Sequence, residues 1–315
     1  MLQKVIAVLP PHLQALLHQL PTSVLDQLEE IRVRQGRPLE LITSGDSHFV
    51  SVAGSFTGSV AAAYEVTAED CQLLLNMVSN YSLYALEEEL QRGYITIPGG
   101  HRVGIVGRAL LEGGRLSSMK EIASFNIRVA REHQGIATSI VPTLFQGNQL
   151  LNTLIISPPQ CGKTTLLRDL ARCLSSTVLP PRKVSIVDER SEIAAVVDGI
   201  PQHNVGPRTD VLDGCPKAEG MMLLIRSMSP HVIIVDEIGR AEDVVALEEA
   251  LHAGIAIITT VHGTDIKDLT KRPTFTRILS QQMFQRYIIL SRRQGVGTIE
   301  KILDEEFIEI GCSKR

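Results

Sequence analysis

Short runs of consecutive apolar residues alternate with amphipathic stretches along the second half of the chain. Runs that are apolar along their whole length are typical of strands buried on both faces of a sheet, and the stretches between them have helical spacing. The pattern begins near Asn148 and predicts an α/β fold with a parallel sheet covered by helices on both faces. The predicted strands are residues 152–157, 183–189, 231–237 and 255–263, and the predicted helices are residues 163–174, 218–228 and 241–254.

The first half of the chain mixes short alternating segments with helical ones. Thr67 and Asp70 have the spacing of a capping box and predict the start of a helix. Thr22 or Ser23 is expected to cap another short helix. A turn containing Gly and Pro at residues 36–38 separates two predicted strands. The other predictions are helices over 11–20 and 83–93, strands over 31–43, 48–54 and 125–131, and a hairpin over 94–111.

The two patterns divide the chain into two domains. Its length of 315 residues favours the same division, at ~150 residues per domain. We expect an α+β domain over residues 1–147, with contacts to partners or other subunits, and an α/β domain over residues 148–315.

The composition is that of an ordinary globular protein, with 44% hydrophobic and 21% charged residues, which excludes a disordered chain. Aromatic residues make up only 4% and there is no Trp, so the cores must be built from Leu, Ile, Val and Ala. The formal net charge of −4 argues against a non-specific nucleic-acid coat protein, which would be basic.

Hydropathy and cysteine use favour a cytoplasmic protein. No run of ~18 uninterrupted apolar residues is present, so no transmembrane helix is expected. The amino-terminal segment lacks the features of a signal peptide. The five cysteines form no CxxC pair and are expected to be reduced thiols. Any membrane association is therefore expected to be peripheral, through a partner.

The strongest chemical signal is SPPQCGKTT at residues 157–165, between a predicted strand and a predicted helix. It has the layout of a phosphate-binding loop. Gly162 would let the backbone approach a phosphate, Lys163 would neutralise the β and γ phosphates, and the Thr164 hydroxyl would coordinate Mg²⁺. The predicted nucleotide-binding residues are Ser157, Pro158, Pro159, Gln160, Cys161, Gly162, Lys163, Thr164 and Thr165.

Two positions depart from the usual GxxxxGK[ST] pattern of such loops. Ser157 occupies the first Gly position, and Gln160 replaces a Gly that is common inside the loop. The Gly-Lys-Thr core and its strand–helix context remain. The alternative interpretation is an ordinary glycine-containing loop.

A second signal is VIIVDE at residues 232–237, in which four apolar residues precede two carboxylates. Sheets of α/β domains bind ligands at the carboxyl ends of their strands, where these acids would lie. Asp236 would hold Mg²⁺ through a water molecule, as a Walker B acid does, and Glu237 would act as general base on the attacking water. The alternative is a strand that ends in solvated acids.

Two further segments place polar residues after predicted strands. Asp188 or Glu189, in VSIVDER, could contact Mg²⁺ or the attacking water, and His262, in TTVHG, could sense the γ-phosphate. The alternatives are a strand followed by surface charges and a buried structural histidine.

Hydrolysis of ATP also needs positive charge on the transferring phosphoryl group, which an arginine from another domain or subunit can supply. Arg128 and Arg131 are the first candidates, because they lie on the predicted strand that leads to the domain junction. The alternative for each candidate is a surface or ion-pair arginine. The full set is Arg92, Arg102, Arg108, Arg128 and Arg131 in the first domain and Arg208, Arg226 and Arg240 in the second.

The order of these segments resembles the secretion-superfamily ATPases of the RecA-like P-loop class, and in particular a sporulation family among them. The phosphate loop is followed by VDERSEI, RTDVLDGCPKAEGMMLLIRSMSP, VIIVDEIGRAEDV and TTVHG. In the first half, EIRVRQGRPL, GYITIPGGHRVGIVGRA and FNIRVARE carry the same resemblance. The family's phosphate loop, acidic box, Walker B acids and histidine box would fall at Ser157–Thr164, Asp188–Glu189, Asp236–Glu237 and His262.

The resemblance implies a RecA-like domain over residues 148–315 in a cytoplasmic, Mg²⁺-dependent ATPase motor that forms a hexameric ring. It also implies a mother-cell protein that docks on a membrane protein of a sporulation secretion complex and energises a channel into the forespore. The site hypothesis is ATP with Mg²⁺, in which Thr164 and Asp236 hold the metal. The expected catalytic residues are Glu237, Glu189, Lys163 and His262.

Two other hypotheses remain from the sequence. Ser157 and Gln160 suggest a nucleotide-binding assembly subunit with little hydrolysis. A nucleic-acid-stimulated P-loop motor is compatible with a RecA-like fold, although the acidic net charge and the few aromatic residues weigh against it.

Overall fold

A computed structural model of the chain describes residues 2–43, 45–80, 93–130 and 133–310. Contacts within the chain divide it into two compact units. The first comprises Met1–Arg131 with the short segment Val197–Gln202, and the second comprises Glu132–Val196 with His203–Arg315. Each unit has its own seven-stranded sheet and its own hydrophobic core.

The first unit is built on an antiparallel sheet. Its helices are α1 (Leu2–Ile6), α2 (Pro11–His18), α3 (Thr22–Leu25) and α4 (Ala68–Val78), with a 3-10 turn at Val60–Ala62. Its strands are β1 (Leu28–Arg34), β2 (Glu40–Thr43), β3 (Asp46–Val50), β4 (Phe56–Thr57), β5 (Tyr94–Ile97), β6 (His101–Glu112) and β7 (Arg115–Arg128). The strands pair in the order β4-β3-β2-β1-β7-β6-β5, and each neighbouring pair is antiparallel.

Alternation of apolar and polar residues decides which face of this sheet is buried. In β1, Ile31 and Val33 are buried and the residues beside them are at least partly exposed. A bulge between Leu28 and Glu30 changes the register, so Leu28 is buried as well. These side chains form one core with apolar residues of α2 and α4. The first core therefore lies between the helices and one face of the sheet.

Helix α4 begins at the capping box that the sequence predicts, which confirms that prediction. Thr67 Oγ1 accepts a hydrogen bond from Asp70 N at 3.1 Å, and Thr67 N donates to Asp70 Oδ2 at 2.8 Å. The Tyr64 hydroxyl donates to the same oxygen at 2.8 Å. Burial and the Asp70 carboxylate raise the pKa of Tyr64, so the phenol stays protonated and remains a donor.

The elements from residue 141 onwards begin with a 3-10 turn at Val141–Leu144. The helices are α5 (Lys163–Ser176), α6 (Lys217–Ser227), α7 (Ala241–His252), α8 (Ile266–Thr270) and α9 (Pro273–Ser280). The strands are β8 (Phe145–Gln146), β9 (Gln149–Leu150), β10 (Thr153–Ser157), β11 (Val184–Asp188), β12 (Val196–Val197), β13 (Ile200–Pro201), β14 (Thr209–Asp213), β15 (Val232–Val235), β16 (Ala256–His262), β17 (Arg286–Ser291) and β18 (Thr298–Leu303).

The main sheet of the second unit has the strand order β14-β11-β15-β16-β10-β17-β18. Its pairs are parallel except for β17–β18, which is antiparallel. Consecutive residues of β10 point into different cores: Ile155 lies in one cluster with residues of α5, whereas Leu154 and Ile156 lie in the other with residues of α6 and α7. The predicted parallel sheet covered by helices on both faces is therefore confirmed.

Several elements differ from their predictions. Strand β7 begins at Arg115, ten residues before the predicted strand, and pairs with β6 from there onwards. Serines and charged residues in its first half interrupt the alternation of apolar and polar residues from which a strand is predicted. Helix α3 begins at Thr22, but the capping position is Pro21 and no side chain caps the helix. The helix predicted for 83–93 lies, except for Gly93, outside the described residues. The sequence prediction missed β14 and all the elements after residue 263.

The boundary between the units also lies earlier than the expected 147/148. Residues 132–147 belong with the second unit. Ala137, Ile140 and Leu144 are buried in the core that contains α5 residues, and Ala137 N donates to the buried Asp169 Oδ2 at 2.7 Å. The apolar residues of this segment therefore attach it to the second core.

Helices in the described part of the chain are all too short or too polar to cross a membrane. Cys71, Cys161, Cys173 and Cys215 are free thiols, and Cys312 lies outside the described residues. Burial raises the pKa of the Cys71 and Cys173 thiols, so both remain protonated near neutral pH.

Replacing Thr67 with Ala removes the side-chain acceptor for Asp70 N at the start of α4. We expect the free energy of unfolding to fall by about 1 kcal/mol, the usual contribution of an N-cap. Urea denaturation followed by circular dichroism measures it. Thr22→Ala is the control, because α3 has no side-chain cap, and its change should stay within ~0.5 kcal/mol. Equal losses in both variants would contradict the capping role.

Candidate functional site

The predicted phosphate-binding loop connects β10 to α5. Ser157, fully buried, is the last residue of β10 and pairs with His262 at the end of β16. Helix α5 begins at Lys163, and Gly162 occupies its capping position at φ +89°. The strand–loop–helix context expected from the sequence is therefore present.

The two departures from the usual loop pattern differ in their structural consequences. Ser157 has an ordinary strand conformation, and its hydroxyl donates to Pro158 O at 2.9 Å. Gln160 has φ +58°, in the left-handed region that favours glycine. A non-glycine residue in that region costs on the order of 1 kcal/mol. Ser157 is thus compatible with the loop, whereas Gln160 is accommodated with strain.

The remaining loop residues lie as follows. Cys161 is 3% exposed and its Sγ lies 3.5 Å from Pro159 O, which fits a packing role. Thr164 and Thr165 are partly buried in the first turn of α5. Because the first turn of a helix has main-chain N–H groups without helical partners, it is suited to bind an anion.

Three predicted catalytic side chains meet next to this loop. Lys163 Nζ lies 3.6 Å from Glu237 Oε2 and 3.3 Å from Nδ1 of His262. His262 Nε2 lies 3.3 Å from Glu237 Oε2. The lysine comes from α5, the glutamate follows β15 and the histidine ends β16. The parallel pairing of β10, β15 and β16 explains the cluster, because it brings the carboxyl ends of these strands to one edge.

Asp236 is oriented by its neighbours on β16. Its Oδ1 accepts hydrogen bonds from Glu237 N at 2.8 Å and from Thr260 Oγ1 at 3.3 Å. Thr259 Oγ1 donates to Asp236 O at 3.2 Å. The sequence drew attention to the Thr259–His262 segment but not to this role of its threonines, since the partners are more than twenty residues apart.

Asp188 holds a loop instead of facing a ligand. It is fully buried, and its carboxylate accepts hydrogen bonds from Glu192 N at 2.8 Å, Ile193 N at 3.0 Å and Ala194 N at 2.8 Å. Burial raises the pKa of this carboxyl group, and the three N–H groups oppose the rise. Of the two acids that the sequence offered for the acidic box, Asp188 is therefore unavailable to a metal or a water.

Glu189 lies at a cavity of about 350 Å³ beside the Lys163 cluster. Its Oε2 forms an ion pair with Lys217 Nζ at the start of α6. Lys217 and Asp243 are cavity residues that the sequence analysis did not single out. Asp243 Oδ2 accepts from Gly239 N and Arg240 N, both at 2.9 Å, and so shapes the loop after β15. The lining residues are Glu189, Arg190, Lys217, Asp236, Glu237, Ile238, Gly239, Arg240 and Asp243.

The candidate arginines of the second unit differ in their surroundings. Arg208 Nη1 donates to Ser175 O at 3.0 Å, near the carboxyl end of α5, and so stabilises that helix end. Arg240 lines the cavity and is exposed. Arg226 is exposed on α6, at a larger groove between α6 and α7. Of these three arginines, Arg240 is the one that lines the cavity together with Asp236 and Glu237.

Three candidate arginines of the first unit, Arg102, Arg108 and Arg128, lie among the described residues, and each has a local partner. Arg102 lies over the ring of Tyr94, 4.6 Å from its centroid. Arg108 and Arg128 lie 3.6 Å from carboxylate oxygens of Glu121 and Glu30. The side chain of Arg128 is nevertheless 65% exposed, so this ion pair is weak and can be exchanged. Arg92 and Arg131 lie outside the described residues.

Comparison with known proteins adds a family and a fold. The model of the family described as "Sporulation stage III, protein AA" matches residues 2–310. Stage III sporulation protein AA of Bacillus subtilis (strain 168) is 53% identical over 308 residues, which cover 97% of this chain and 96% of that protein. The match therefore extends over both units.

Two solved structures share the fold. The ATPase DotB of Legionella pneumophila has a TM-score of 0.55 at 18% identity, with 88% of this chain and 74% of that chain covered. The pilus retraction motor PilT with bound ADP has a TM-score of 0.57 at 14% identity, with 85% and 75% covered. The RecA-like P-loop ATPase fold that the resemblance implied is confirmed. The amino-terminal domain, expected as α+β, is built on an antiparallel sheet.

Replacing Asp188 with Ala would leave three main-chain N–H groups, two of them fully buried, without their acceptor. We expect the free energy of unfolding to fall by roughly 3 kcal/mol. Denaturant titration measures the loss. Asp210→Ala on the neighbouring strand β14 is the control, since Asp210 is exposed. If Asp188→Ala is as stable as this control, the loop-holding role is wrong.

Proposed function

The chain belongs to the Sporulation stage III, protein AA family, and from this premise we propose that it is a Mg²⁺-dependent motor that hydrolyses ATP to ADP and phosphate. The observation that carries the proposal is the meeting of Lys163, Glu237 and His262 beside the loop at residues 157–164. The shared fold with an ATPase and a pilus retraction motor supports it.

The loop at residues 157–165 would bind the triphosphate. Its main-chain N–H groups and the amino end of α5 would face the phosphate oxygens, and Lys163 would neutralise the β and γ groups. The ammonium group of Lys163 lies near Glu237 and His262. Binding of nucleotide would replace these contacts by contacts with phosphate.

Thr164 and Asp236 would hold the metal. Hydroxyl and carboxylate oxygens are the donors that Mg²⁺ prefers, and Asp236 is already oriented by Thr260 and by Glu237 N. When bound, Mg²⁺ would supply positive charge to the phosphate oxygens. The residues present therefore fit this ion.

Glu237 would act as general base on the attacking water. Its carboxylate lies at the edge of the cavity and within 3.6 Å of Lys163, next to where the γ-phosphate would be held. His262, 3.3 Å from Glu237, would sense the γ-phosphate and help to orient that carboxylate. Glu189 lies at the same cavity, in an ion pair with Lys217, and is the second acid available there.

The active form would be a hexameric ring with nucleotide at the subunit junctions. An arginine from a neighbouring subunit would then complete the site, and the exposed Arg128 is the first described candidate. The ring would lie in the cytoplasm of the mother cell, peripheral at the membrane through a membrane protein of a sporulation secretion complex, and would energise a channel into the forespore. The sporulation family and the motor-like fold support this assignment.

A second candidate function is a nucleotide-binding assembly subunit with little hydrolysis. Gln160 favours it, because the left-handed position in the loop is occupied by a residue other than glycine. In that case nucleotide would stabilise the ring without turnover. Release of phosphate by the purified protein, with and without its membrane partner, distinguishes the two functions.

Two substitutions separate binding from hydrolysis. Lys163→Ala should abolish ATP binding, because it removes the charge that neutralises the phosphates. Glu237→Gln should keep binding but lower the turnover rate by about 10² or more, the contribution of a general base. Calorimetry with an ATP analogue and a phosphate-release assay measure these effects. Lys267→Ala and Glu306→Gln, at exposed positions, are the controls. Unchanged turnover in Glu237→Gln would exclude Glu237 as base and favour Glu189.

The ring hypothesis predicts how activity depends on concentration. If a neighbouring subunit completes the site, ATPase activity per chain should rise with protein concentration until the ring is assembled. Phosphate release over a dilution series, with light scattering to follow assembly, measures this. Activity per chain that is constant from monomer to oligomer would contradict a site shared between subunits.

A further inference from the structure

The turn between β17 and β18, residues 292–297, lies against the phosphate-binding loop. Gly297 N donates to Cys161 O at 3.0 Å. A Cβ atom at Gly162 would lie 3.0 Å from Val296 Cγ1 and 3.1 Å from Gly297 N. Gly162 therefore has two reasons to be glycine, its φ of +89° and this close approach. Main-chain contacts hold the turn against the loop, so side chains on the turn have a defined place beside it.

Arg292, the first residue of this turn, contacts a side chain of the phosphate-binding loop. Its Nη1 lies 3.5 Å from Oε1 of Gln160, the residue that replaces glycine in the left-handed position. An amide oxygen at this distance is a weak partner for a guanidinium group. Among the described residues, no carboxylate lies within ion-pair distance of Arg292, whereas Arg293 lies 3.8 Å from Glu300 Oε1. The charge of Arg292 is therefore available beside the loop.

We infer that Arg292 is a nucleotide-binding residue that donates hydrogen bonds to phosphate oxygens of a nucleoside triphosphate held by the loop at residues 157–164. The inference rests on the proposed function. A guanidinium group presents several N–H donors in a fixed plane and is suited to bind two phosphate oxygens at once. Gln160 is then a positioning residue, which holds Arg292 at the loop until phosphate replaces the amide oxygen.

This assignment explains why Gln160, and not a glycine, occupies the left-handed position of the loop. A glycine at residue 160 would avoid the cost of the left-handed conformation, but it would have no side chain to contact Arg292. The arginine is contributed by the same chain as the loop, so it acts in binding even where no neighbouring subunit is present. It is thereby distinct from an arginine supplied in trans.

The test compares Arg292→Gln with Arg293→Gln in the full chain. Both variants remove one positive charge from the same turn, but Arg293 has Glu300 as a partner. Titration with a fluorescent ATP analogue should show affinity about tenfold weaker for Arg292→Gln, as for the loss of a charge-assisted hydrogen bond, and within twofold of the unsubstituted chain for Arg293→Gln. Arg292→Lys should recover part of the affinity, because it keeps the charge without the planar group.

Competition with inorganic tripolyphosphate identifies the group that Arg292 binds. If the contact is to phosphate, Arg292→Gln should weaken tripolyphosphate binding as much as ATP binding. Unchanged tripolyphosphate affinity would overturn the phosphate assignment, and equal ATP affinities of the Arg292→Gln and Arg293→Gln variants would overturn the inference as a whole. Failure of the folded, unsubstituted chain to bind ATP would instead refute the proposed function.

Discussion

The parallel pairing of β10 with β16, and of β16 with β15, is the constraint on which the site depends. It places Ser157 opposite His262 and Val235 opposite Thr259. Parallel strands have their carboxyl ends at the same edge of a sheet, so the residues that follow them converge. Lys163 reaches this edge from the helix that begins immediately after the loop. A shift of one residue in this register would separate the lysine, glutamate and histidine and turn alternate side chains to the opposite core.

The segments that follow β11 and β15 share a second physical feature. Their main-chain N–H groups donate hydrogen bonds to the carboxylates of nearby aspartates. Asp188 holds residues 192–194, Asp236 accepts from the next residue, and Asp243 accepts from residues 239 and 240. Buried main-chain donors need acceptors, and a carboxylate can satisfy more than one of them. Asp188 therefore only holds a loop, whereas Asp236 and Asp243 hold the loop after β15 and also line the cavity.

The two units place different demands on their sequences. In the first unit, an antiparallel sheet needs apolar residues on one face only. Apolar and polar residues therefore alternate along its strands, and charged residues such as Arg128 lie on the surface. In the second, β10, β11 and β15 are buried at every position and tolerate few polar residues. Chemistry in the second unit is thus confined to the strand ends and loops, where the proposed nucleotide site lies.

The sequence alone determined the α/β alternation, the parallel sheet, the capping box at Thr67 and the loop between β10 and α5. Each depends on residues close together in the chain, or on burial that shows directly as a run of apolar residues. It did not indicate β17, β18 or the start of β7. Tertiary structure alone decided that Asp188 holds a loop while Glu189 faces the cavity, and that residues 292–297 lie against Gly162. These outcomes depend on partners distant in sequence, since the environment of a polar side chain is set by packing and not by its neighbours along the chain.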